Sequence, residues 1–539
     1  MESRDENIIN WRREMEETRL RSSRRRCLPS WTQHHFIVFA ITFFSYALFH
    51  ATRKNFSAVK TTMLDSWLPP PQPNLSLPRG ISPYADANAW SCNAAAGKEG
   101  DCLWQSPKDG RGFEGTLDAC FLAAYAIGLY LSGMIGDRFE PRLVLSIGMW
   151  LSAILVLLFG FFSELARYYH EGYYVTVWLL CGLVQASGWP TEVAVMGAWF
   201  GRGTRGAVLG LWSACASVGN IIGTLLSAHF LHYGYEYTFL VNGCLLFAGG
   251  VVVYFGLVST PKEIGMPEAD AETNKKGDKK DMRRRPISLR GAYSLAYACL
   301  KLVNYSLFFW LPTYIHLRFG WAEAFADDLS TWYDWGGIIG GFLAGALTDF
   351  LPFRSPVIVA CLSFSLLALF GYSKAPASEA ANEWLLAVCG LLIGGPANLI
   401  SAAVSADLGK QEAIRDSAEA LATVTGIVDG TGSVGAALGQ VIVPAIIGSA
   451  QAPALLRTRL AYVFYFFIIM SLATIVCLLP LLYREIRDWL RKRREIQYSQ
   501  LSEEDEALLD PGLDESIGDG GRIFGRGGQI EDSPESSSS

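Results

Sequence analysis

Apolar residues run along this chain in long blocks, near 34–64, 116–136, 142–163, 173–198, 206–231, 237–258, 291–316, 329–350, 354–373, 384–408, 417–447 and 458–483. Most blocks reach the ~20 residues that an α-helix needs to cross a hydrocarbon core, and the breaks between them are mostly short and polar. The pattern predicts an all-α polytopic membrane protein of about twelve transmembrane helices. Composition agrees, because a chain of 539 residues that is 51% hydrophobic and only 18% charged is too apolar for water alone to solvate.

Charge is concentrated at the two ends and in one central break, so the formal net charge of −6 says little about the rest of the chain. Nucleic acid is not expected as a partner. Arg21 and Arg24 to Arg26 precede the first block, Lys275, Lys276, Lys279, Lys280 and Arg283 to Arg285 fill the break, and Arg484 to Arg494 follow the last block. With an even number of spans, the positive-inside rule puts all three on the cytoplasmic side. No small-residue cleavage site follows the first block, so no cleaved signal peptide is expected.

The expected organisation is a basic cytoplasmic segment at 1–33, a six-helix half at 34–258 with a luminal loop at 65–115, a charged linker at 259–290, a second six-helix half at 291–483, and a cytoplasmic tail at 484–539. The tail is polar, acidic and rich in Gly and Ser, which predicts disorder. On the luminal side Cys92 and Cys102 can form a disulfide, and Asn74-Leu75-Ser76 is a glycosylation sequon. Two free thiols and an unused sequon are the alternative.

The halves repeat one another. Gly133-Met134-Ile135-Gly136-Asp137 with Arg142 is echoed by Gly345-Ala346-Leu347-Thr348-Asp349 with Arg354, Gly188-Trp189-Pro190 by Gly394-Gly395-Pro396, and Ser217-Val218-Gly219 by Ser433-Val434-Gly435. Parallel six-helix repeats are one architecture of secondary transporters, with substrate held between the halves near the bilayer midplane. Asp137, Arg142, Asp349 and Arg354 then read as gating elements at the helix ends. No GxxxxGK[ST] loop, GxSxG elbow or zinc helix occurs, so neither an ATP-driven pump nor an enzyme is expected, and no cofactor or metal.

Cations interrupt the first and seventh blocks. The clean apolar run from Phe36 stops at Phe49, too short to span, so the helix must continue through His50, Arg53 and Lys54. A charge held there costs at least ~2.5 to 3.5 kcal/mol unless the side chain snorkels to the interface. Tyr46, Phe49, His50, Arg53 and Ser57 fall along one stripe, which suits an oxyanion: guanidinium matches phosphate in a bidentate manner where lysine offers a point charge. Lys301, Asn304, Tyr305 and Phe308 form a second island, with Lys301 too deep to snorkel. Arg53 and Lys301 are expected to face each other across the halves as uncompensated cations. Asp118, Glu192, Asp334, Glu419 and Asp429 are further buried ionisable candidates, for pairing with a cation or relaying a proton.

At Ser45-Tyr46-Ala47, His50-Ala51-Thr52-Arg53-Lys54, Gly188-Trp189-Pro190 and Trp199-Phe200-Gly201 the sequence resembles the organophosphate:phosphate antiporter family of the major facilitator superfamily. The stretches 210–220, 297–305 and 419–430 are most similar to its eukaryotic sugar phosphate exchangers. The resemblance implies exchange of phosphorylated sugars or glycerol phosphate for inorganic phosphate, with Arg53 as a phosphate ligand. Two positions depart from the bacterial pattern: Asn304 stands where a second arginine is expected, with Lys301 one turn away, and Ala198 stands where a histidine is expected. One forked arginine and one lysine predict less selective binding of phosphate or phosphonate groups. A proton-coupled sugar or drug porter and a non-transporting scaffold or sensor are the alternatives. In the tail, Tyr498-Ser499-Gln500-Leu501 fits a tyrosine-based adaptor signal and Glu504 with Leu508-Leu509 an acidic dileucine signal, which predicts adaptor proteins as partners and a lysosomal or endosomal membrane ahead of the endoplasmic reticulum.

Overall fold

The computed structural model describes residues 31–67, 103, 107–200, 205–266, 288–351, 354–401, 421–448 and 453–509. Asn74, Cys92, Cys102, Glu419, the linker's Lys275, Lys276, Lys279, Lys280 and Arg283 to Arg285, and the arginines before residue 31 lie outside these residues.

The described chain is helical along nearly its whole length. In order, the membrane elements are α1 (Gln33–Trp67), α2 (Pro107–Gly136), α3 (Pro141–Leu165), α4 in two pieces (Glu171–Gln185 and Gly188–Trp199), α5 in two pieces (Arg205–Trp212 and Cys215–Phe230) and α6 (Tyr235–Gly256). The second half follows with α7 (Ser288–Phe319), α8 (Glu323–Phe350), α9 (Ser355–Ser373), α10 (Glu379–Leu399), α11 (Leu421–Ile447) and α12 (Pro453–Leu509). Ten of the twelve positions hold a stretch long and apolar enough to cross a membrane by itself. The other two are α4, which is broken, and α8, which carries Asp327, Asp328 and Asp334 beside five glycines, Gly336, Gly337, Gly340, Gly341 and Gly345.

The break in α4 has a local cause. Pro190 has no N–H to give the carbonyl four residues earlier, and the Ser132 hydroxyl of α2 donates to that Ala186 oxygen at 2.7 Å instead. A buried carbonyl freed by proline is thereby satisfied from a neighbouring helix, as a lipid-embedded backbone requires.

Small residues set the approach of the halves. A Cβ at Gly133 would lie 2.8 Å from the Ala422 carbonyl oxygen, and one at Gly210 would lie 2.5 Å from that of Gly341. So α2 packs backbone to backbone on α11, and α5 on α8. In lipid such contacts supply the packing that hydrophobicity supplies in water.

Three expected boundaries shift. The loop expected at 65–115 loses both flanks to helix, since α1 runs to Trp67 and α2 begins at Pro107. The charged linker also shortens: a capped turn at Pro261–Ile264, closed by Thr260 and Glu263, extends the first half, and α7 starts at Ser288. The disorder expected from residue 484 onward is corrected over its first part, because α12 continues to Leu509 and carries Tyr498, Leu501, Glu504, Leu508 and Leu509 in helical backbone. No glycine or proline occurs between Arg484 and Leu509, and Glu, Lys, Arg, Gln and Leu are good helix formers. Pro511-Gly512 supplies the first breaker.

Candidate functional site

A cavity of about 60 Å³ lies between the halves, walled by Tyr46 and His50 of α1, Trp189 of α4, Asn220 of α5, Asn304 and Tyr305 of α7, Asp334 of α8, and Asp429 of α11. Four of the expected site residues, Tyr46, His50, Asn304 and Tyr305, therefore face one space. Arg53, Lys54 and Lys301 stand immediately behind its wall. The volume is well under the ~300 Å³ of a small-ligand pocket and has room for only a few waters.

Arg53 is only 2% exposed, so it does not snorkel. Its Nε donates to Gln185 Oε1 of α4 at 2.7 Å, its Nη1 lies 3.3 Å from His50 Nε2, and its guanidinium carbon sits 4.4 Å from the centre of the Tyr125 ring of α2. Its Nη2 is buried and has no hydrogen-bond partner. Among the described residues no carboxylate makes an ion pair with Arg53. A guanidinium held on one edge by an amide and stacked on an aromatic face, with one nitrogen unpartnered, has a donor left over for an oxyanion.

His50 and Asn220 extend this arrangement across the halves. Asn220 Nδ2 donates to Asp334 Oδ1 at 2.7 Å, so its Oδ1 is free to accept from His50 Nδ1 at 3.0 Å. That leaves His50 Nε2 to accept from Arg53. The chain runs donor to acceptor from guanidinium through imidazole and carboxamide to carboxylate. Gln185, Tyr125 and Asn220 were not legible as site residues in the sequence, since they lie on other helices and carry no charge.

Lys301 corrects an expectation. It is not an uncompensated cation: Nζ lies 2.8 Å from Asp429 Oδ1 of α11 and 2.9 Å from Ser433 Oγ, both within its own half. Asp429 accepts a further bond from Ser401 at 3.1 Å. Lys301 does share a neighbour with Arg53, since its Nζ is 5.6 Å from the centre of Tyr125 and 5.0 Å from that of Tyr305. Lys54 is also 2% exposed and reaches the Phe308 carbonyl of α7 at 3.3 Å and that ring at 5.0 Å. Asn304 takes the Tyr333 hydroxyl on Oδ1 at 2.6 Å. Of the other carboxylates, Asp118 pairs with Lys60, and Glu192 accepts from Ser45 at 2.6 Å while its second oxygen is buried without a partner.

The expected gating residues occupy helix ends. Asp137 accepts the backbone N–H groups of Ala422 at 2.9 Å and Thr423 at 2.8 Å, so a carboxylate of the first half caps the N-terminus of α11 in the second. Arg142 pairs with Glu140 at 2.5 Å, and Arg354 donates to Thr348 Oγ1 at 3.4 Å. The Asp349 side chain lies outside the described residues.

Comparison with known proteins agrees with this architecture. The Major Facilitator Superfamily matches residues 111–413. Sugar phosphate exchanger 3 of Xenopus laevis is 46% identical, with 88% of this chain and 98% of that protein covered, and the Homo sapiens protein of the same name is 46% identical over 87% and 96%. The glucose-6-phosphate exchanger of Danio rerio is 33% identical over 85% and 94%. Among solved structures, the proton:xylose symporter superposes with a TM-score of 0.57 over 83% of this chain and 95% of its own at 14% identity, which bears on the fold alone. The human organic anion transporter MFSD10 gives 0.56 over 82% and 100%, also at 14% identity. The chain is a multi-pass membrane transporter that belongs to the Major Facilitator Superfamily, akin to its sugar phosphate exchangers.

Proposed function

We propose that this protein moves small phosphorylated or phosphonate organic anions across an intracellular membrane, in exchange for inorganic phosphate, by alternating access of the cavity between its halves. The observation that carries this reading is the free edge of Arg53: a buried guanidinium nitrogen with no partner and no carboxylate in contact. The names of the relatives, which specify sugar phosphate and glucose-6-phosphate exchange, support the same cargo class.

Gln185 and Tyr125 fix the guanidinium plane, so a phosphoryl group approaching from the cavity meets a preset donor edge. The charge it brings offsets the cost of holding Arg53 in a dehydrated path, a few kcal/mol. Closing the halves without an anion forgoes that offset, which makes return of the unloaded carrier slow and exchange fast. Because Asp429 already balances Lys301, the tightness of exchange rests on Arg53 and on Lys54, the buried cations that make no ion pair among the described residues. We place the basic ends and the linker on the cytoplasmic side and assign the protein to the endolysosomal membrane, with the endoplasmic reticulum second, on the charge pattern and the tail signals.

The test is efflux of labelled phosphate from proteoliposomes with and without unlabelled phosphate or sugar phosphate outside. Outside anion should accelerate efflux several-fold, and Arg53→Lys should abolish most of it. Equal efflux in both conditions would rule out exchange. Full activity of Arg53→Lys would remove Arg53 from the site.

A further inference from the structure

The stripe of α1 that carries Arg53 continues, one and two turns on, to Ser57 and Lys60. Residues at these spacings share a helix face, and Lys60 lies about 10 Å along the axis from Arg53. Neither is explained by the central cavity. Lys60 is 8% exposed and pairs with Asp118 of α2, while its ammonium lies 5.2 Å from the ring centre of Phe56, 5.4 Å from Phe309 and 5.3 Å from Trp310. The last two rings belong to α7, in the other half. Trp310 is itself fixed, its Nε1 donating to Gln440 Oε1 of α11 at 2.8 Å. The Ser57 hydroxyl, between Arg53 and Lys60, is buried with no hydrogen-bond partner, and so is the second oxygen of Asp118.

This end of the bundle is opposite the one that Asp137 closes, because Lys60 and Trp310 lie near the C-termini of α1 and α7 while Asp137 meets the N-terminus of α11. The ion pair is internal to the first half. The ring contacts cross between halves. Separation of the halves at this end would therefore carry Phe309 and Trp310 away from Lys60 and leave a lysine and a serine hydroxyl on the wall of the opening, leading down one helix face to Arg53.

We propose that Lys60 and Ser57 form an outer binding site for the phosphoryl group, covered by Phe309 and Trp310 while the halves are closed and loaded before the anion passes to Arg53. The ligand class is a small oxyanion, inorganic phosphate or a phosphate monoester: a point-charge ammonium and one hydroxyl donor suit such a group without fixing its orientation. The inference rests on the phosphate-transport reading, and it assigns a direction: the outer site serves anions that arrive at the end away from Asp137.

The competing explanation is that Lys60 only neutralises Asp118, and a double substitution separates the two. In Lys60→Met with Asp118→Asn the buried pair is removed as a unit, so folding should survive. Proteoliposomes sorted for one orientation by a tag on the C-terminal tail allow the half-saturation for labelled phosphate to be measured at each face, with saturating phosphate opposite. The double variant should raise half-saturation about tenfold or more at the face away from Asp137 and leave it within about twofold at the other. Lys60→Arg, which keeps the charge, should stay near wild type. Unchanged half-saturation at both faces, or an equal rise at both, would overturn the outer site, as would failure of the double variant to fold, which would assign the pair to the fold. Wild-type protein with no phosphate flux would sink the transport reading itself, and the outer site with it.

Discussion

Lys301→Met tests whether the lysine of α7 is a ligand for the cargo or a structural partner of Asp429. Both side chains are almost fully buried, at 1% and 2% exposure. Removing the ammonium strands a buried carboxylate that keeps only neutral donors, such as Ser401 at 3.1 Å. Breaking a buried pair from one side costs about 3–5 kcal/mol, whereas replacing both partners is close to neutral. The single variant should therefore lose several kcal/mol of stability and unfold at clearly lower temperature, while Lys301→Met combined with Asp429→Asn should recover most of that loss. The coupling between the two changes, read from a double-mutant cycle in detergent or nanodiscs by thermal unfolding, should be at least ~2 kcal/mol. Phosphate affinity of the double variant should fall only modestly, since the cavity's net charge is unchanged. A Lys301→Met protein that melts like wild type yet no longer takes up anion would refute this reasoning and return Lys301 to the binding site.

Four further outcomes follow from the geometry. Arg53→Lys loses the Gln185 bond, the contact with His50 and the free Nη2 donor together; at about 1.5–3 kcal/mol for a bond to a charged group, transport measured as kcat/KM should fall about 10²- to 10³-fold with little change in expression. Gly426→Val forces a side chain against the Leu129 carbonyl, and overpacking of about 1–3 kcal/mol should open the Asp137 end, read as faster labelling of a cysteine introduced on the cavity wall. Asp137→Asn removes the charge at the α11 N-terminus and should shift the same labelling in the same direction by up to ~30-fold; unchanged labelling would show that the cap does not hold this end shut. Replacing Tyr498, Leu508 and Leu509 with alanine should move a fluorescent fusion to the plasma membrane, and unchanged location would remove the sorting signals.

The helices were legible because lipid imposes one rule on every span, a long apolar run with its backbone satisfied internally. Arg53, His50 and Tyr46 were legible for the complementary reason: charge and polarity on one stripe inside such a run demand an explanation. What the sequence hid was pairing between helices. Lys301 and Asp429 are separated by more than a hundred residues, and only the packing of α7 on α11 shows that one cancels the other. The neutral residues that orient Arg53 left no signal at all, because a glutamine or tyrosine in a transmembrane helix is ordinary. The tail misled for another reason: its acidic and Gly-Ser composition was averaged over a region whose first part, to Leu509, contains only helix-permitting residues.

The placement of strong and weak contacts agrees with a protein that must alternate. Lys60 with Asp118 joins α1 to α2, and Lys301 with Asp429 joins α7 to α11; each buried ion pair stays inside one half. Losing one partner of such a pair costs several kcal/mol, so each half is held as a body. Contacts that cross between the halves are of a different kind: neutral or singly charged hydrogen bonds such as Asn220 to Asp334, the backbone cap that Asp137 makes on α11, and the rings of Phe309 and Trp310 over Lys60. Each is worth about 0.5–2 kcal/mol, and water or cargo can replace the hydrogen bonds when the halves part. Had the ion pairs crossed the interface, every turnover would have to break a buried charge pair. In the proposed exchange cycle, with the pairs internal and one nitrogen of the buried Arg53 guanidinium left without a partner, the costly step is closing on an arginine that no carboxylate pairs, a cost the anion offsets.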